Sequence, residues 1–183
     1  LSNTPHTDFV SKGAATFFVD YNGPPRDFYF VLLPKLTMLA FSSAVEPLRI
    51  ANQITGKPLY RWFTMTRDGA PVRCSNNVLI TPDGPLKDIA KQDRSFICSG
   101  VEPAQSQDDK VTGWTRRQQA HGAQVGGICT GAFTLAATGV LANRRFTLHW
   151  ENQPAFDERY PDLAPTPNLF EKDKGLMTCG GGS

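Results

Sequence analysis

Cysteine and histidine are scarce in this sequence, with four of the first and three of the second among 183 residues. Cys74, Cys98, Cys129 and Cys179 form no C-x-x-C pair and no compact cluster with histidine. That argues against a structural zinc site and against a dense disulfide framework. The widely separated thiols predict a reducing, cytoplasmic setting, and neither a metal nor a cofactor is expected. Long apolar runs are missing too. Nothing approaches the roughly 20 apolar residues of a bilayer span, and no basic start leads into an apolar core of signal-peptide type. No membrane partner is therefore expected. Charge of one sign has little excess: 19 Lys plus Arg face 17 Asp plus Glu, a formal charge of +2. An isolated nucleic-acid-binding domain is far more basic, so this segment is not expected to grip DNA itself. The basic pairs Arg116-Arg117 and Arg144-Arg145 read as solvated helix or loop ends. Internal repeats and phosphate loops are also lacking, since Gly180 to Gly182 carry neither the lysine nor the spacing of a Walker motif.

What is present suits one domain with a sizeable core, at 40% hydrophobic and 20% charged residues. Leu1 to Asp27 is polar and holds Pro5, Gly13, Gly23, Pro24 and Pro25, which reads as a flexible, poorly packed leader with a marginal strand at Thr16 to Val19. From Phe28 the texture changes. An apolar run to Leu33 predicts a strand, and Thr37 to Gln53 a helix that stops near Gly56. Tyr60 to Thr66 follows as a strand, then a hairpin around Ser75-Asn76-Asn77, a short helix at Leu86 to Ala90 and a buried strand at Arg94 to Cys98. Gln107 to His121 reads as a helix, Ala123 to Ile128 as a strand, and Thr130 to Thr138 as a helix ending at Gly139. Phe146 to Trp150 reads as a further strand, Pro154 to Tyr160 as a short helix, and Leu169 to Glu171 with Gly175 to Thr178 as a late hairpin. This β-then-α alternation predicts an α/β fold, a mostly parallel sheet with helices on both faces and functional loops at the carboxyl ends of the strands.

The chemistry concentrates at Gly126-Gly127-Ile128-Cys129-Thr130-Gly131-Ala132-Phe133. A G-x-C-x-G turn between strand and helix is a nucleophile elbow, with Gly127 and Gly131 giving steric room. At the amino terminus of the next helix, unpaired N–H groups and the helix dipole are expected to favour the thiolate. The alternative for Cys129 is a small buried hydrophobe. His149, twenty positions on, is expected to emerge at the same sheet edge.

These residues, with Phe30-Val31-Leu32-Leu33-Pro34, Met38-Leu39-Ala40, Ala44 to Asn52, Leu59 to Trp62, His149-Trp150-Glu151 and Met177 to Gly181, resemble a known family. It is the PfpI-type, class I glutamine-amidotransferase-like domain at the amino terminus of AraC-family (GlxA-type) transcriptional regulators. The resemblance spans roughly residues 28 to 183 and implies a flavodoxin-like three-layer sandwich, a homodimer and a small-molecule effector. It also implies a final helix and a helix-turn-helix domain beyond Ser183, through which alone DNA is contacted. Relatives in this regulator group respond to arginine, choline-derived betaines or carnitine, so an amino acid or quaternary-ammonium zwitterion is the expected effector. Enzymes of the superfamily pair the elbow cysteine with a carboxylate from the helix after the first strand. Matching through Glu46 puts Ala40 at that position, which leaves Cys129 and His149 as vestigial catalytic residues. The alternative is an active cysteine hydrolase, amidase or hydratase.

Ligand contacts are expected from Gly100, Val101, Cys129, Thr130, His149 and Trp150, with backbone N–H groups of the Gly100 turn holding a carboxylate. Glu151 either orients His149 or caps the helix that follows. Glu46 reads as half of a local ion pair with Arg49, and Asp108-Asp109-Lys110 as a helix start rather than a metal site. Cys179, at another strand end, either approaches the same cavity or is simply buried.

Overall fold

The computed structural model describes residues 9–11, 13 and 16–181. The first eight leader residues and the last glycine of the Gly180 to Gly182 run lie outside it. Strand β1 (Arg26–Leu32) is followed by α1 (Met38–Thr55), β2 (Tyr60–Thr66), a small hairpin of β3 (Val72–Arg73) and β4 (Leu79–Ile80), and β5 (Gly84–Pro85). Then come β6 (Arg94–Cys98), α2 (Pro103–Ser106), α3 (Asp109–Ala120), β7 (Gln124–Ile128) and α4 (Ala132–Thr138). Helix α5 (Gln153–Arg159), preceded by a 3-10 turn at Trp150–Asn152, leads to β8 (Phe170–Asp173) and β9 (Leu176–Cys179). Seven strands form one sheet in the order β5-β2-β1-β6-β7-β9-β8, all parallel except β8 against β9. This is the flavodoxin-like three-layer arrangement. One face packs Phe30, Leu32, Cys98 and Ile128 beneath α1, and the other packs Val31, Ile97 and Val125 against Trp114, Phe133 and Phe156 of the remaining helices.

The helix ends follow from identifiable residues. Asp108 caps α3 by accepting from the N–H groups of Lys110 and Val111, as its side chain is suited to do. Gly56 and Gly139 end α1 and α4 in the left-handed conformation, with φ of 62° and 80°, which costs glycine no Cβ clash. Helix α1 runs through Pro47 without breaking.

Three expected elements are not there. Thr16 to Val19 is no strand; the N–H groups of Thr16 and Phe17 both donate to Ile54 at the end of α1. Leu86 to Ala90 is no helix, because the N–H of Ile89 goes to the Gln118 side chain and that of Ala90 to Asp93. Phe146 to Leu148 are buried, but the run from Phe146 to Trp150 is no strand, since β9 already occupies the place beside β7. Its backbone bonds elsewhere instead: Thr147 N–H donates to the Thr178 hydroxyl, and the Phe146 carbonyl accepts from Thr166. Burial, which made the run look like a strand, comes here from its position under the loop of residues 160–169.

Glu171 on β8 is buried and accepts from the Asn168 amide at 2.6 Å and the Thr166 hydroxyl at 2.9 Å, with Arg145 3.9 Å away. The Asn168 bond, then the Thr166 bond, hold its carboxyl below the ordinary value of 4.5. A carboxylate whose folded pKa is depressed stabilises the fold above its unfolded value and loses that contribution as pH falls through the folded value. Urea unfolding followed from pH 5 to pH 3 is therefore expected to lose stability more steeply in the wild type than in Glu171→Gln. Parallel slopes would contradict this.

Among the described residues no helix is long and apolar enough to cross a membrane.

Candidate functional site

At the carboxyl end of β7 the chain turns sharply. Cys129 takes φ of 60°, an uncommon conformation for a residue with a Cβ, and the next residues open α4. Its N–H donates to the Cys179 carbonyl at 3.0 Å, and its carbonyl accepts from the N–H of His149 at 3.2 Å. The elbow is thereby tied to the ends of β9 and of the 146–149 segment. Gly131 makes the turn possible: a Cβ there would lie 2.1 Å from the Ile97 carbonyl oxygen.

Cys129 is only 4% exposed. The Thr37 hydroxyl lies 3.6 Å from Cys129 Sγ, and a Cβ on Gly181 would lie 3.3 Å from the same sulfur. The described end of the glycine run thus lies directly against the thiol. Burial pushes the Cys129 thiol above its ordinary value, and the Thr37 hydroxyl and Thr130 N–H offset this only in part. Desolvation of the charged form outweighs the local donors, so burial works against the thiolate expected at a helix terminus. Ala40, 3% exposed, belongs to the same packed cluster as Cys129. A methyl group therefore belongs to that cluster at the position where the resemblance led to the expectation of a missing carboxylate.

His149 approaches the elbow through its backbone. Its Nδ1 is buried without a hydrogen-bond partner, 3.9 Å from the Glu151 carboxylate, which is beyond hydrogen-bond length. Glu151 makes no cap bond to the helix after it. Trp150 is 70% exposed, its ring stacked on His149 at 5.8 Å and 26°. The Thr130 hydroxyl is committed, donating to the Gly100 carbonyl at 2.6 Å. Gly100 pairs with Leu36, and a Cβ there would fall 2.2 Å from the Lys35 carbonyl oxygen. Val101 stands exposed beside it. Cys179 is partly exposed at the end of β9, in register with Ile128. Glu46 pairs with Arg49 at 2.7 Å.

Sequence patterning does not single out Thr37, Lys35 or Glu102 as site residues. Thr37 lies where the loop after β1 turns into α1, a place that chain position alone marks as a site edge. Lys35 and Glu102 pair across the two loops that flank the elbow, and both take positive φ, 61° and 55°. Each such non-glycine conformation costs roughly 1–3 kcal/mol, whereas an ion pair with side chains 47% and 44% exposed contributes about 0–1 kcal/mol. The pair does not offset the backbone it requires. A separate cleft of about 330 Å³ opens near Pro34, Thr66 and Ser106, its rim crossed by the Arg67–Asp108 ion pair.

A model of the DJ-1/PfpI family matches residues 47–180. The chain is 43% identical over 158 residues to the HTH-type transcriptional regulator CdhR of Pseudomonas aeruginosa PAO1, covering 86% of this chain and 47% of that protein. It is 39% identical to the HTH-type transcriptional regulator GlxA of Rhizobium meliloti, covering 84% and 48%. The chain thus spans about half the length of these curated relatives. Its fold superposes on a crystal structure of an AraC family transcriptional regulator from Pseudomonas putida with a TM-score of 0.75, at 24% identity over 86% of this chain and 84% of that one.

Proposed function

Since this chain belongs to the DJ-1/PfpI family, we propose that it is the effector-sensing and dimerisation domain of a longer bacterial transcriptional regulator. In this reading the sensing unit starts with β1 at Arg26, two residues before the Phe28 boundary expected from the sequence, the residues before it are its leader, and DNA is held by a separate helix-turn-helix segment. The protein acts in the cytoplasm, and its effector is a small amino acid or quaternary-ammonium zwitterion that leaves the site chemically unchanged. Binding biases two arrangements of the domains and so alters the spacing of the DNA-binding modules. One observation carries this reading: the elbow is intact, yet its thiol is buried and favoured in the neutral form, with Ala40 in the cluster around it. General acid–base help typically supplies about 10²- to 10⁴-fold in rate, and a methyl group supplies none. Similarity to two regulators over nearly the whole chain supports the same assignment.

The test is a thermal-shift screen of wild type and Cys129→Ala against L-arginine, glycine betaine and L-carnitine, with product analysis of every hit. A ligand at about 100 times its dissociation constant adds about 2.7 kcal/mol, which is a rise of roughly 5–11 °C for a chain of this size. Such a rise in both proteins, with the ligand recovered intact, is the expected result. Turnover that disappears in Cys129→Ala would make this domain a cysteine-dependent enzyme instead.

A further inference from the structure

We propose that the Lys35–Glu102 ion pair is the element that reads the two ends of a zwitterionic effector. The ligand carboxylate takes Lys35 and its cationic end takes Glu102. This deepens the sensing reading and rests on it.

The argument starts from position. Lys35 precedes Leu36 and Thr37, and Thr37 reaches the Cys129 sulfur, so its loop forms one wall of the elbow. Glu102 follows Gly100 and Val101 on the opposite loop, which is bound to the elbow through the Thr130 hydroxyl. The pair therefore bridges the two walls. Both side chains are about half exposed, so each head group is open to exchange its partner for a ligand without first leaving a buried site.

Charge order supplies the specificity. An ion pair offers a cation and an anion side by side, which is the mirror image of an α-amino acid or a betaine. A ligand carrying a single charge satisfies one member and strands the other, whereas a zwitterion satisfies both. Val101, exposed between Gly100 and Glu102, gives the methyl groups of a quaternary ammonium an apolar neighbour. Neither end of the pair is held by an ordinary backbone conformation. Strained residues that their own contact does not compensate are typical of ligand clamps. Replacing the internal bridge by a ligand removes the side-chain link between the two loops and leaves their backbone pairing at Leu36 and Gly100 in place, so occupancy is reported at the side chains of the rim.

The experiment measures dissociation constants of wild type, Lys35→Met and Glu102→Gln for glycine betaine, choline and 3,3-dimethylbutyrate. Choline retains the cationic end alone and 3,3-dimethylbutyrate the carboxylate alone. Wild type is expected to prefer glycine betaine to both. Lys35→Met should weaken glycine betaine about tenfold to a hundredfold, as loss of a charged hydrogen bond does, while choline, which then strands no lysine, should bind no more weakly than to wild type. Glu102→Gln should weaken glycine betaine by a similar factor and leave 3,3-dimethylbutyrate, which then strands no carboxylate, bound at least as tightly as to wild type. The apo melting temperatures of both variants should stay within about 4 °C of wild type, since an exposed pair contributes little to stability. If wild type binds glycine betaine and both variants bind it within twofold of wild type, the pair is not the reader, although the sensing function stands. If the wild type binds none of the three compounds nor L-carnitine and L-arginine, the zwitterion class and the pair fall together.

Discussion

Gly131→Ala is expected to lose at least about 3 kcal/mol of stability, a fall of roughly 6–12 °C in melting temperature. Gly131 has φ of −56°, so the residue needs no special backbone freedom. The obstacle is space. A methyl group there would lie 2.1 Å from the carbonyl oxygen of Ile97 and 3.0 Å from both the Cα of Gly127 and the nitrogen of Ile128. All three are backbone atoms of β6 and β7, which cannot rotate away as a side chain would. Relief would require α4 to lift from the sheet, taking with it the buried Phe133 and Leu135. Gly84→Ala provides the contrast, because nothing lies within 4 Å of a Cβ at that position. It should change stability by less than about 1 kcal/mol and favour the fold by restricting the unfolded chain. Thermal unfolding of both variants checks the pair. Near-equal melting temperatures would mean that the elbow can spread to admit a methyl group.

The second large loss is expected at Asn52. Its side chain is wholly buried, with the amide nitrogen donating to the carbonyls of Tyr60 at 2.7 Å and Phe9 at 3.0 Å. Its oxygen accepts from the N–H groups of Leu59 at 2.9 Å and Tyr60 at 3.0 Å. Four hydrogen bonds are as many as an amide side chain makes. The residue sits on α1 and fixes the start of β2 to it, with the leader held at Phe9. Asn52→Ala removes the partners of several backbone groups at once, and each unsatisfied buried group costs about 1–3 kcal/mol. A total loss of about 3 kcal/mol or more follows. Asn52→Asp should fare no better, since it retains the acceptor role but sets an oxygen against the Tyr60 carbonyl. Urea denaturation that places Asn52→Ala within 1 kcal/mol of wild type would show that the leader and β2 do not depend on this side chain.

Asn52 also illustrates what a linear reading misses. An asparagine inside a helical pattern looks like a weak helix former, and only the fold reveals that four backbone groups converge on it. Local signals fared better. The Asp108 cap and the Gly56 and Gly139 stops follow from chemistry within a few residues, and the sequence carries them plainly. Phe146 to Trp150 was misread for the opposite reason: burial and apolar character do not say which strand takes the place beside β7. At the site, the elbow and its glycines were legible because the turn demands them. The protonation of Cys129 was not, since burial depends on Thr37, Gly181 and α1, all distant in the chain. Lys35 and Glu102 were invisible as a pair because 67 positions separate them.

Around the elbow and along the strand that leads to it, backbone packs on backbone. Gly100 lies against the backbone of Lys35 to Thr37, Gly126 against the carbonyl of Met177, and Gly131 against that of Ile97. Main chain has the same composition whatever residues are written along it, so descendants of this protein could exchange rim residues freely without reshaping this packing. The arrangement separates two kinds of heredity. Glycines are locked by geometry, while the ligand contacts proposed above, at Lys35, Val101, Glu102 and Trp150, are made by side chains. New specificities should therefore arise by substitution at the rim over inherited backbone packing, and selection experiments on this scaffold should recover changes at those four positions long before any at the three glycines.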